Sequence, residues 1–132
     1  MALTVLHFII CDQVRLGSQS LQSIQIDNLI TSIRSKQAPP FPLTRPRLTA
    51  LALFMGGQGE GELSIRIVYE QSGHITSHSK KSLTVRFLGD SRTITGIKIN
   101  LPNCVFPSEG LYWVELVFSG EVIARQPIRV SS

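Results

Sequence analysis

The stretch ELSIRIVYE, Glu62 to Glu70, places Leu63, Ile65, Ile67 and Tyr69 at every second position, with Ser64, Arg66 and Glu70 among the alternates. Side chains alternate across a strand with a period of two, so this stretch predicts a strand with one face in a core and one in water. Such half-buried strands belong to antiparallel sheets. A strand of a parallel sheet is covered on both faces and reads as a continuous apolar run.

The same reading extends outward in both directions. SLTVRFLG (82–89) sets Leu83, Val85 and Phe87 inward, and ITGIKINLP (94–102) sets Ile97, Ile99 and Leu101 inward around Lys98 and Asn100. GLYWVELVF (110–118) divides into Tyr112, Val114, Leu116 and Phe118 on one face and Trp113, Glu115 and Val117 on the other. Ser119 and Gly120 then read as a tight turn into EVIARQPIRV (121–130), the second arm of a hairpin. Towards the N-terminus, LTVLHFII (3–10) and PRLTALALFM (46–55) are apolar on both faces, as suits central strands covered by a second layer. LQSIQIDNLITSIRS (21–35) also matches a helical stripe through Ile26, Leu29, Ile30 and Ile33. Its β-branched residues, and Asn28 at the Asp27–Asn28 interruption, favour two short strands joined by a bulge or turn. The expectation is an all-β, antiparallel β-sandwich, immunoglobulin-like or a related arrangement, of about seven to nine strands.

With 132 residues, 42% of them hydrophobic and 17% charged, the chain is expected to form one domain over residues 1–132 with a full core and no need of staples. Its net charge of +4 permits an anionic partner without demanding one. Cys11 and Cys104 form no CxxC pair, which argues against a thiolate zinc site, and each sits beside apolar residues. Two reduced, buried thiols are expected. The opening MALTVLHFIICD lacks a basic leader and carries His7 in its middle, and no apolar run reaches the roughly 18 residues of a membrane helix. A cytoplasmic protein without membrane contact is expected.

Several constellations suggest chemistry and are read more simply. GGQGEG (56–61) resembles a phosphate loop in its glycines. It is followed by neither Lys-Ser nor a helix, so a flexible connection between strands is expected. His74 and His78 are four apart in a polar turn beside Lys80 and Lys81, too few ligands for zinc. His7 falls in the series Leu3, Val5, His7, Ile9, Cys11 and is expected inside as a neutral core histidine. No nucleophile elbow, metalloprotease helix or suggestive carboxylate pair appears. Hence no catalytic residue, cofactor or metal is predicted.

Between Asp27 and Glu60 there is no acidic residue, and Arg34, Lys36, Arg45 and Arg47 flank the proline-rich APPFPLTRPR (38–47). This segment is either a basic surface for an anionic partner or a connection whose prolines guard a sheet edge. Prolines serve the second role because they cannot donate to another strand.

LHFIICDQVR (6–15), NLITSIRSKQAPPFPLTRPRLTALALFMGGQGEGELSIRIV (28–68) and GLYWVELVFSGEVIARQPIRV (110–130) resemble a family of small bacterial proteins of unknown function. The resemblance implies a β-sandwich and a bacterial origin, and it supplies no activity.

The residues therefore point to a non-catalytic protein-interaction or accessory module. The two-sided apolarity of LTVLHFII and LYWVELVF predicts an outer apolar patch and self-association as a homodimer or complex, with Trp113 as anchor. The alternative covering for such a patch is the proline-rich segment itself, through Phe41 and Leu43. Nucleic-acid or other anion binding through Arg34, Lys36, Arg45 and Arg47 is the alternative function.

Overall fold

Period-two patterning resolves into strands throughout. The computed structural model describes residues 3–17, 20–79, 82–90 and 92–132. Among them run β1 (Leu3–Gly17), β2 (Ser20–Leu29), β3 (Ser32–Arg34), β4 (Leu43–Gly56), β5 (Gln58–Tyr69), β6 (Ile75–His78), β7 (Leu83–Leu88), β8 (Ile94–Phe106), β9 (Gly110–Phe118) and β10 (Glu121–Ser131). No helix among these residues is long and apolar enough to cross a membrane. One sheet has the order β2-β1-β4-β8, and the other has β3-β10-β9-β5-β6 with β7 also on β5. Leu63 faces Leu83 on one side and Phe118 on the other, so β7 and β9 flank opposite edges of β5. Every pairing is antiparallel except β3 with β10. The protein is an all-β sandwich.

The inner faces form one core. Leu63, Ile65 and Ile67 of β5 and Tyr112, Val114 and Leu116 of β9 meet Leu48, Ala50, Ala52 and Phe54 of β4 and Leu101 of β8. Alternation in β5, β7, β8 and β9 follows the sequence reading, with one exception. Leu83, at the start of β7, stays 44% exposed while Val85 and Phe87 are buried. The β9–β10 hairpin turns on Ser119 and Gly120, both at positive φ (48° and 85°), the paired conformation that matches the twist of two antiparallel strands.

The inward phase of β1 reverses the sequence expectation. The β1–β4 register shifts between Val5 and His7, so Leu3 and Val5 still lean on the core, but beyond the bulge Phe8 and Ile10 take over the inward positions. His7 is consequently exposed, not a core histidine. A bulge adds one residue to one strand only, which swaps faces for everything after it.

The expected outer apolar face is only partly covered by the chain itself, and Leu6, Ile9, Leu53 and Met55 on it stay partly exposed. Leu51 and Leu53 point away from the main core and pack with Cys11, Val14 and Ile24, so that Cys11 and Leu51 are buried beneath the β1–β2 hairpin. Phe41 and Leu43 of the proline-rich segment pack against the main core between the sheets. On the other outer face, Trp113 and Val117 are interrupted by the Arg66–Glu115 ion pair (2.7 Å). A guanidinium also lies over the indole, with the Arg125 Cζ 3.9 Å from the Trp113 ring centre.

GGQGEG is not a flexible connection. Only Gly57 lies between strands, and residues 58–61 already pair with β7. A Cβ on Gly57 (φ 85°) would come within 2.8 Å of Leu3 Cδ1, and one on Gly61 would meet the Phe118 ring at 2.4 Å. Close approach, not mobility, requires these glycines.

Cys11 and Cys104 are free and buried, in separate apolar clusters. Burial pushes the Cys104 thiol up to about 11 and raises that of Cys11 as well. Only the thiolate alkylates readily. In native buffer at pH 8 we expect neither thiol to react with iodoacetamide over a period in which both react in denaturant, as read by intact mass.

Candidate functional site

The first sheet forks, and the fork makes the candidate site. β1 and β4 pair only from Leu3–Gly56 to Cys11–Thr49. Beyond that point β1 continues with β2, while the earlier half of β4, Leu43 to Leu48, continues with β8 alone. Each branch bends at an asparagine in the left-handed conformation: Asn28 (φ 54°) across from Asp12, and Asn103 (φ 52°) across from Pro46. Asn adopts this conformation at little cost, as the sequence reading expected of Asn28. After Asn103 the inward residues of β8 shift from Leu101 to Cys104 and Phe106, which turns the branch out of plane.

Between the branches lies a groove of about 770 Å³ lined by Asp12, Ile33, Arg34, Lys36, Leu43, Thr44, Arg45, Pro46 and Arg47. The four cations singled out in the sequence therefore converge. Arg34 ends β3 on one sheet, Arg45 and Arg47 lie on β4 of the other, and residues 35–42 cross between them carrying Lys36. That crossing is held by its own polar groups. Ser35 N–H donates to Ser131 O (2.7 Å), Ser35 Oγ to Pro40 O (2.8 Å) and Gln37 Nε2 to Pro42 O (2.8 Å).

Asp12 is the one carboxylate of the lining, and sequence reasoning missed it. Arg45 donates to its Oδ1 at 2.5 Å and Asn28 to its Oδ2 at 3.0 Å. Partial burial disfavours the charged carboxylate, but the hydrogen bonds from Arg45 and Asn28 and the charges of Arg45 and Arg47 outweigh it. Its carboxyl is held below the usual carboxylate range. Among the described residues, Arg34, Lys36 and Arg47 have no carboxylate within ion-pair distance and are exposed. In the sequence Asp12 only ends the apolar run Phe8–Cys11 of β1, and nothing local links it to Arg45 or Asn28.

A depressed carboxyl pKa stabilises the fold above the unfolded value of about 3.9, and that stability is lost as pH falls through the folded value. Asp12 is about a third exposed, so the pair contributes roughly 0.5–1 kcal/mol. Urea melts of Asp12→Asn should show this deficit at pH 7 and lose most of it near pH 3.

Trp113 is not part of the groove. It lies on the outer face of the other sheet, half-buried, its Nε1–H donating to Glu70 (3.1 Å). His74 lies in the turn before β6, and His78 ends that strand beside Ser79 O (3.1 Å). Lys80 and Lys81 lie outside the described residues.

No curated protein matches this chain. Among solved structures, the chain is similar to the Pseudomonas fluorescens alkylpurine DNA glycosylase AlkC bound to DNA containing an abasic site analog (TM-score 0.54, 11% identity), over 98% of this chain and 30% of that one. The Trichoderma reesei beta-D-glucoside glucohydrolase gives a TM-score of 0.48 at 10% identity, over 98% of this chain and 19% of that one. The chain thus spans less than a third of either protein, and at such identity the first similarity concerns the fold alone. A family model covers nearly all of the sequence: over residues 6–131 the chain belongs to a family of unknown function, DUF6941.

Proposed function

We propose that this protein is a non-catalytic interaction module that takes an acidic segment of a partner protein in the groove at the fork. The observation that carries the reading is the convergence of Arg34, Lys36, Arg45 and Arg47 on one concave surface whose single carboxylate is already bonded to Arg45. A guanidinium offers planar, paired donors that match a carboxylate, and an exposed cation without a partner loses little by binding one. Ile33, Leu43 and Pro46 supply apolar contact between the charges. Pro46 has no N–H to give along the edge of β4 that β1 leaves open, so recognition rests on side chains more than on an added strand. We place the module in a bacterial cytoplasm, a reducing compartment that two unpaired thiols support.

Nucleic-acid binding through the same four cations is the second reading. A protein partner is favoured because the lining holds no aromatic ring on which an unpaired base could stack. Fluorescence anisotropy with a labelled oligoglutamate peptide and a labelled single-stranded oligonucleotide tests both. We expect the peptide to bind with an affinity that falls as salt rises, and to weaken about tenfold or more in Arg34→Glu/Arg47→Glu. Preferential binding of the oligonucleotide would favour the second reading. Indifference of both probes to the charge reversal would remove the groove from consideration.

A further inference from the structure

A sandwich of two open sheets has four edges, and three of them here are blunted. β3 is three residues long and ends at Arg34, and the part of β10 it leaves open, residues 121–128, holds Pro127 and exposed Arg125. The β6–β7 edge carries exposed Arg86 and is divided between two strands of four and six residues. β8 contains Pro102 and exposed Lys98, and its Val105 N–H donates to Ser77 Oγ of β6 (2.8 Å). Short length, prolines, charges and cross-sheet contacts are the usual means of preventing edge-to-edge pairing.

The fourth edge has two parts: β1 from Leu3 to Ile9, which β2 does not reach, and β2 itself, which among the described residues carries none of these devices. β2, Ser20–Leu29, is ten residues long, contains no Pro, Lys or Arg, and among the described residues pairs with β1 alone. Its one charge, Asp27, is neutralised within the hairpin by Arg15 at 2.9 Å. Ile26 and Leu29 are 37% and 63% exposed. A long edge free of Pro, Lys and Arg, with exposed Ile26 and Leu29, offers unpaired N–H and C=O groups to another strand.

We propose that this edge is a homodimer interface: β2 pairs with β2 of a second copy, antiparallel about a two-fold axis at Gln25, joining the two β1–β2 branches into one four-stranded ribbon. A two-fold contact must be complementary to itself, and this sequence is. Centring on Gln25 sets Ile24 opposite Ile26 of the second copy and Asp27 opposite Ser23. β-branched pairs across strands are favourable, whereas like charges directly opposite are not. The two Asp27 carboxylates end up four residues apart along the ladder, roughly 13 Å, beyond the range at which they repel strongly in physiological salt. The straight part of β2, before the bend at Asn28, contains all of these central pairs. The interface is independent of the basic groove and of Trp113, and it locates the expected self-association on a strand edge instead of a sheet face.

Sedimentation equilibrium over a dilution series on the full chain is the test. We expect a reversible dimer, a rise in its dissociation constant of about tenfold or more in Ile26→Lys, and no change in Trp113→Ala. Circular dichroism verifies that Ile26→Lys is folded. Gln25→Cys gives a readout that does not depend on destabilising the edge. Facing residues of an antiparallel pair lie within disulfide reach, and both native thiols are buried, so mild oxidation should yield a covalent dimer on a non-reducing gel. A monomer at high micromolar concentration, or a dimer that survives Ile26→Lys and dissociates in Trp113→Ala, would overturn the interface. A dimer weakened by Ile26→Lys in which Gln25→Cys does not cross-link would overturn the register at Gln25.

Discussion

Replacing Phe54 by Ala is expected to destabilise the protein by about 3–5 kcal/mol, the range for truncating a buried aromatic side chain. Phe54 is fully buried on the inner face of β4 and meets Phe87 edge-on at 5.6 Å between ring centres. Phe87 in turn meets Phe118 at 5.7 Å, so the rings link β4, β7 and β9 across both sheets. Loss of the first ring leaves a void bounded by strands that cannot collapse independently, because β4 is hydrogen-bonded on both sides along this half. Since a domain of this kind is stable by about 5–15 kcal/mol in total, the variant should unfold at markedly lower urea with an unchanged slope. Leu88→Ala, at a side chain 80% exposed, should remain within about 0.5 kcal/mol of the parent. Equal effects of the two substitutions would mean that the described core is not the one that stabilises the fold.

Tyr112 should respond in two separable steps. Its ring is fully buried, packed edge-on against Phe106 at 5.0 Å and tilted against Tyr69 at 4.7 Å. Its hydroxyl donates to Ser108 O at 2.6 Å and accepts from Ser108 N–H at 3.1 Å. Ser108 lies in the connection that carries the chain from β8 in one sheet to β9 in the other, so the hydroxyl ties that corner to the strand that follows it. This is the arrangement known as a tyrosine corner in β-sandwiches. Tyr112→Phe keeps the ring and strands a backbone donor and acceptor, at an expected cost of about 1–3 kcal/mol. Tyr112→Ala adds the cavity, for about 3–5 kcal/mol or more. Urea denaturation of both variants measures the steps. A Phe variant indistinguishable from the parent would show that water replaces the hydroxyl and that the corner carries no net stability.

The groove was half legible in the amino-acid sequence. Arg34, Lys36, Arg45 and Arg47 stood out because no acidic residue interrupts them, yet both readings of that segment proved compatible with the structure. One of its prolines, Pro46, does stand at an open strand edge, since β4 has no neighbour on one side there among the described residues, while Pro39, Pro40 and Pro42 lie in the crossing before it. Its cations do face one cavity. Asp12 escaped notice because its partners, Asn28 and Arg45, are 16 and 33 residues away and no local pattern joins them.

What the sequence determined by itself is the strand content and the inward face of strands whose two faces differ. In β5, β8 and β9 the apolar series 63–65–67, 97–99–101 and 112–114–116 could satisfy only one orientation, because a slip by one residue would bury Arg66, Lys98 and Glu115. Where both faces are apolar, that argument has no purchase, and tertiary pairing decided. The bulge between Val5 and His7 placed Phe8 and Ile10 in the core and His7 outside. β1 left β4 for β2 beyond the Cys11–Thr49 pair and so opened the fork, and the crossing at 35–42 carried cations from one sheet to the other. Trp113, which the sequence offered as an exposed anchor, is stacked under Arg125 because Gln126 and Pro127 pair with Val114 and Trp113 in the β9–β10 register. Local periodicity is an energy difference between two faces of one strand, and it sets phase only when that difference is large. Which strands become neighbours depends on contacts between residues far apart in the chain, which no window of sequence contains.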